Sequence, residues 1–144
     1  MIRLTKLIWM LLAATMLLAV PAAAAENAEP RASSFFGSSD VYLYQTSSTK
    51  FQAWFEVSAL YTMDKVGASE IKIQESSDGE NWTTVKTCTK DNYSNLICEN
   101  TGFHASYVSY TGTSGNYYRA KITLYAENSS GFGEWVRYTS SIVL

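Results

Sequence analysis

From Lys50 to Ala59 apolar and polar residues alternate: Phe51, Ala53, Phe55, Val57 and Ala59 point one way, Gln52, Glu56 and Ser58 the other. A period of two marks a strand with one face in a core. Trp54 interrupts the polar side, so it either meets a neighbouring loop or stands exposed. The same rule predicts a first strand over Asp40 to Thr46, with Val41 and Leu43 opposed to Tyr42 and Tyr44. Ile71 and Ile73 share a face against Lys72 and Gln74. Asp78-Gly79 then turns the chain into a returning strand, Trp82 to Thr89. Asp bonds backbone two residues on, and Gly accepts positive φ without steric cost. Phe103 to Tyr110 is a further strand. Tyr117 to Glu127 is a long one, with Tyr118, Ala120, Ile122, Leu124 and Ala126 on one face, and Trp135 to Val143 is the last. Leu60 to Ser69, Lys90 to Asn95 and Thr111 to Asn116 are predicted as connections. About seven short strands with turn residues between them, and no convincing helix, predict an all-β, antiparallel, seven-stranded β-sandwich.

The strands are preceded by a segment of another kind. Met1 to Lys6 carries Arg3 and Lys6 and no acid. Leu7 to Val20 is a run of about 14 residues, apolar apart from Thr15, and Pro21 and the small residues Ala22 to Ala25 follow. This is the plan of a secretory signal peptide. The run is shorter than the roughly 20 residues needed to span a bilayer. Cleavage after Ala25 divides the chain into a signal peptide (1–25), a loose arm (26–38) containing Pro30, and one domain (39–144). The expected location is extracellular. No sorting motif, apolar tail or lipid-acceptor Cys follows, so nothing predicts a membrane tether after cleavage.

Removing the leader takes away two cations and leaves 9 basic against 13 acidic residues. That balance gives no support for nucleic acid as a partner. Cys88 and Cys98 remain, and an even pair in an exported chain predicts a disulfide closing a short loop. The alternatives are two free thiols or half of a metal site, and His104 is the single imidazole available to complete one.

Two segments resemble the fibronectin type III fold as bacteria use it. Ile71-x-Ile73-x-x-Ser76-x-Asp78-Gly79-x-x-Trp82 is similar to the third-strand hairpin of such domains. Tyr118-Arg119-x-x-Ile122-x-Leu124-x-Ala126-x-Asn128-x-x-Gly131-x-Gly133 is similar to their penultimate strand and turn. The resemblance implies seven strands in two sheets, and a fibronectin type III or immunoglobulin-like class. The interval from Tyr118 to Asn128 is two residues longer than the family's spacing, and the first strand lacks a leading Pro. A leader followed by one such domain also resembles an uncharacterised family of small secreted proteins from Gram-positive bacteria. Neither likeness assigns an activity.

Catalytic chemistry is sparsely supplied. A nucleophile needs a base within reach, and His104 stands alone without a Gly-x-Ser-x-Gly turn. Glu75, Asp78 and Glu80 cluster at one turn, where acids serve as solvated turn formers; their spacing is not that of a calcium loop. No cofactor or metal motif is present. Three sequons, at Asn81, Asn92 and Asn128, fall in polar turns.

The candidate working surface is a sheet face. With the parities above and the family's pairing of third, fourth, sixth and seventh strands, the outward residues are Lys72, Gln74, Thr84, Lys86, Arg119, Lys121, Tyr125, Trp135 and Arg137. Five of the nine basic residues left after cleavage fall in that set. A basic, aromatic sheet face in an acidic protein suits an anionic or carbohydrate polymer, or a protein. The competing role is protection: outward Lys and Arg also blunt aggregation and pair with cross-strand acids. The expected function is therefore a secreted non-enzymatic binding module for an extracellular protein or carbohydrate. A small secreted effector or bacteriocin-like toxin, and a carboxylate hydrolase, are the alternatives.

Overall fold

The computed structural model describes residues 34–144. The leader and most of the arm, with their expected cleavage site, lie outside them. Among the described residues seven strands form one antiparallel network: β1 Phe36–Gln45, β2 Lys50–Ser76, β3 Thr83–Thr89, β4 Ile97–Thr111, β5 Tyr117–Asn128, β6 Gly131–Tyr138 and β7 Ile142–Val143. A single 3₁₀ turn, Ser94–Leu96, precedes β4. The all-β, antiparallel reading of the sequence holds. The partition differs in two places. The expected strand Lys50 to Ala59, the connection after it and the strand at Ile71 are one element, the 27-residue β2. The expected last strand is divided into β6 and β7, which pair with opposite ends of β5.

β2 organises the rest. Its first half, up to Ser58, pairs with β1 on one edge and with the second half of β4 on the other. Its second half pairs with β5 on one edge; β3 and the start of β4 lie end to end along the other. The strand stays in the sheet by absorbing irregularities. Register jumps between Ser58 and Met63 against β4, and between Ala68 and Glu70 against β5. Such bulges bend a strand and increase its twist. The network therefore curls into a half-barrel. Phe51 of β2 meets Tyr118 of β5 with ring centroids 5.2 Å apart, and Phe36 of β1 meets Trp135 of β6 at 6.0 Å.

The alternating residues line that curl. Phe51, Ala53, Phe55, Val57, Ile71, Ile73, Tyr118, Ala120, Ile122, Leu124 and Ala126 are all fully buried in one core, as alternation requires. Ala59, expected on the same face, is partly buried and packs against the core. Leu96, from the 3₁₀ turn, fills the base. Phe36 begins β1 four residues before the alternation that predicts it. It is buried rather than part of a loose arm. Tyr118 is the largest fully buried side chain, and its hydroxyl accepts a hydrogen bond from the Thr113 amide at 2.7 Å, tying the incoming loop to β5.

The expected disulfide is not formed. Cys88 and Cys98 are both free, the first buried and the second partly exposed. Cys88 stands opposite Ile71 and Cys98 opposite Val66 on the same edge of β2. Five residues of extended strand separate those partners, roughly 16 Å, whereas a disulfide needs Cα atoms within about 7 Å. The chain between them does not return as a hairpin; it loops out and rejoins the edge further along. Titration of the unfolded protein is expected to find two thiols. Adding reductant is expected to leave the melting temperature unchanged, where loss of a disulfide worth about 2–4 kcal/mol would lower it by roughly 10 °C or more.

Candidate functional site

Directly paired residues of antiparallel strands project to the same side, so the register decides which of the expected face residues meet. Lys72 lies opposite Thr87 and Lys121, and Lys121 opposite Tyr138. Gln74 lies opposite Thr84 and Arg119. Lys72, Gln74, Thr84, Arg119, Lys121 and, further along β5, Tyr125 thus share the outer side, as the sequence predicts. Three expected members do not. Lys86 is paired with buried Ile73, because an extra residue between Ile73 and Gln74 pairings, Val85, flips the phase of β3. Its ammonium instead donates to the Ser109 carbonyl at 3.0 Å. Trp135 and Arg137 are paired with buried Leu124 and Ile122. Trp135 packs on the core against Phe36. Arg137 lies 4.7 Å from the Trp135 ring and donates to the Ser39 hydroxyl at 3.2 Å.

Two residues that the sequence reading leaves out complete the face: Tyr138, about half exposed on β6, and Trp82, at the end of the Asp78-Gly79 turn. That turn is held by one carboxylate. Asp78 accepts hydrogen bonds from the Asn81 amide and side chain, the Glu80 amide and the Ser76 hydroxyl, in the order Asn81 first. These bonds hold its carboxyl well below the usual carboxylate range. Trp82 is thereby delivered beside β5. The Arg119 guanidinium lies 4.3 Å from the Trp82 ring centroid and 5.2 Å from that of Tyr138. Its Nε donates to Gln74 Oε1 at 2.7 Å. Among the described residues its two terminal nitrogens have no hydrogen-bond partner. Lys121 lies 6.0 Å from the Tyr138 ring and forms no ion pair there. Lys72 is bound to Glu70 at 2.8 Å. Each cation–π contact at such exposure contributes about 0.5–1 kcal/mol, and with the Gln74 bond they restrain the Arg119 side chain.

Tyr125 is on the same side but is not free to act. It is 8 % exposed, stacks on Phe132 with centroids 5.7 Å apart and donates its hydroxyl to Glu127 at 2.7 Å. Burial first, and the Glu127 bond second, push its hydroxyl up to about 12. A folded-state value above the free one near 10 means that this interaction is fully present below pH about 10 and is lost as pH rises through about 12. Absorbance titration is expected to find a tyrosine that ionises near that pH, and Tyr125→Phe is expected to remove it.

The candidate catalytic groups lie in structural contacts. His104 stacks edge-on against Phe55 and its Nε2–H donates to the Asn95 carbonyl at 2.8 Å. The Asn116 amide donates to Glu75. Trp54 neither meets a loop nor stands exposed: it is partly buried. It stands between Tyr42 and Tyr107 across three strands, at 6.2 Å and 4.5 Å, so that these rings contact one another as cross-strand pairs do. Among the described residues no group of three His, Cys, Asp or Glu is placed to hold a metal ion, and no helix is long and apolar enough to cross a membrane.

Compared with known proteins, the chain matches no family model and no curated protein. Its class rests on the fold and on this face.

Proposed function

We propose that this chain is a secreted, non-enzymatic binding module of fibronectin type III-like architecture, whose outer β3–β2–β5–β6 face holds an extracellular ligand. The architecture is supported by strand order. The second half of β2 lies between β3 and β5, with β6 beyond, and its first half lies between β1 and β4. Those are the two groups of strands that the family's sandwich would stack, joined here through β2. The hydroxyl of Tyr118, bonded to backbone five residues upstream, supports it too, as a tyrosine corner. Export is supported by the leader in the sequence.

One observation carries the binding reading: Arg119 lies within 4.3 Å of the Trp82 ring and 5.2 Å of the Tyr138 ring, its terminal nitrogens unclaimed among the described residues, beside Lys121 and Lys72. A preorganised guanidinium loses little freedom when it binds. Like charges directly opposite each other, as Lys72 and Lys121 are, weaken a sheet; an anionic ligand reverses that penalty. The protein is expected to bind cell-surface material, and Arg119→Glu combined with Lys121→Glu is expected to weaken binding by at least tenfold, about 1.4 kcal/mol, with the melting temperature within a few degrees of the parent. Lys50→Glu, outside the face, is the control. Undiminished binding by the double variant contradicts the proposal.

A further inference from the structure

We propose, resting on that binding reading, that the ligand is an acidic polysaccharide: sugar rings lie against Trp82 and Tyr138 while their acid groups meet Arg119, Lys121 and Lys72. The arrangement of the face selects this class. Its centre is charged and polar: Lys72 faces Lys121, and Gln74 faces Arg119 in the next outward row, with Thr84 and Thr87 across β2. Protein interfaces enrich aromatics and Arg in their middle but keep Lys out of it; here Lys72 and Lys121 lie at the centre. Here the rings stand beside the cations. A sugar polymer bearing acid groups offers the matching set: apolar C–H faces for the rings, carboxylates or sulfates for the cations, hydroxyls for Gln74 and the threonines.

The spacing suits an extended chain. Arg119 and Lys121 are alternate residues of β5, about 7 Å apart along the strand, and Lys72 lies about 5 Å across from Lys121. Three cations spread over a few ångströms of sheet match charges carried at intervals along a polymer. They match the dense charge of nucleic acid, one phosphate per about 1.7 Å of duplex axis, less well. The acids on the outer side of this half of the sheet are engaged or distant: Glu70 is bound to Lys72, and Glu127 to Lys65 and Tyr125. Glu134 lies four pairs beyond Lys121 along the β5–β6 ladder and accepts from the Ser69 hydroxyl. Among the described residues Lys121 has no ion-pair partner, and it lies beside the ring of Tyr138.

The test measures binding of the purified protein to polygalacturonate, dextran sulfate, neutral dextran and a single-stranded oligonucleotide, by calorimetry and by tryptophan fluorescence. The two acidic arms separate a carboxylate from a sulfate source. One or both are expected to bind at least tenfold more tightly than dextran, and to weaken as salt rises from about 0.05 to 0.5 M and the Debye length shrinks. Lys121→Gln, which removes no ion pair, is expected to weaken them about fivefold or more, as is Trp82→Ala. Dextran bound as tightly as the acidic polymers, or the oligonucleotide bound more tightly than they are, overturns the inference. So does binding that ignores Lys121→Gln and Trp82→Ala. If the acidic polymers fail to bind while the double charge reversal still abolishes attachment to cell-surface material, the ligand class is wrong and the face remains a binding site. If neither responds, both are wrong.

Discussion

Replacing Gly67 by Ala is expected to cost about 4 kcal/mol or more and to leave little or no folded protein at 37 °C. A Cβ at this position would fall on the Leu96 carbonyl oxygen, far inside the 3.0 Å that real Cβ contacts respect, and Leu96 C and Ile97 Cα also stand within about that distance. None of these is the end of a flexible side chain. Gly67 is paired with Ile97 on one edge and Tyr125 on the other, so neither it nor its neighbour can retreat without breaking a ladder. Its φ of 157° adds strain for any residue with a side chain. A domain of this size has about 5–15 kcal/mol in hand. The expected fall in melting temperature is about 15 °C or more, read by circular dichroism. Gly115→Ala is the contrast: nothing lies within 4 Å of its Cβ, although its φ is 88°. There the cost is about 1–2 kcal/mol.

Tyr118→Ala is expected to cost about 3–5 kcal/mol. Its ring is fully buried against Phe51 at 5.2 Å and Tyr110 at 5.9 Å, and it joins the two halves of the curled sheet. Tyr118→Phe separates packing from hydrogen bonding. The ring stays, the Thr113 amide loses its partner, and the expected cost is about 1–3 kcal/mol. Hydrogen exchange at Thr113 is expected to quicken in the Phe variant. Equal stability of the Phe variant and the parent would remove the hydroxyl from the account of the fold.

Some of this structure is legible in the sequence because one face of a strand is buried and the other is wet. Phe51 to Val57 and Tyr118 to Ala126 alternate for that reason, and Phe51, Ala53, Phe55, Val57, Tyr118, Ala120, Ile122, Leu124 and Ala126 are in the core. The stretch from Met63 to Ala68 is not legible in the same way. Val66, Gly67 and Ala68 are buried consecutively, since bulges turn the strand and the Leu96 carbonyl covers the glycine. Without alternation it resembles a loop. The phase of β6 is hidden for another reason. Trp135, Val136, Arg137 and Tyr138 offer an aliphatic or aromatic group at either parity, and the ladder that begins at Asn128 and Gly131 decides which side faces out. Lys86 was displaced by the unpaired Val85. The cysteines are ten positions apart in sequence, which says nothing about a loop that leaves an edge and rejoins it. Six of the nine expected face residues therefore lie on the outer face, while the two rings that frame Arg119 are found only in three dimensions.

The claim that this outer face makes the contact is tested most directly by the tryptophan indole resonances of the labelled protein, recorded while bound polymer is added. Trp82 is on the face, Trp54 is in the ring row of the other half of the sheet, and Trp135 packs on the core. The account predicts that the Trp82 indole, with the backbone amides of Arg119, Lys121 and Tyr138, shifts in a saturable manner while Trp54 and Trp135 hold their positions. Shifts centred on Trp54, Tyr42 and Tyr107, with Trp82 unmoved, would contradict it.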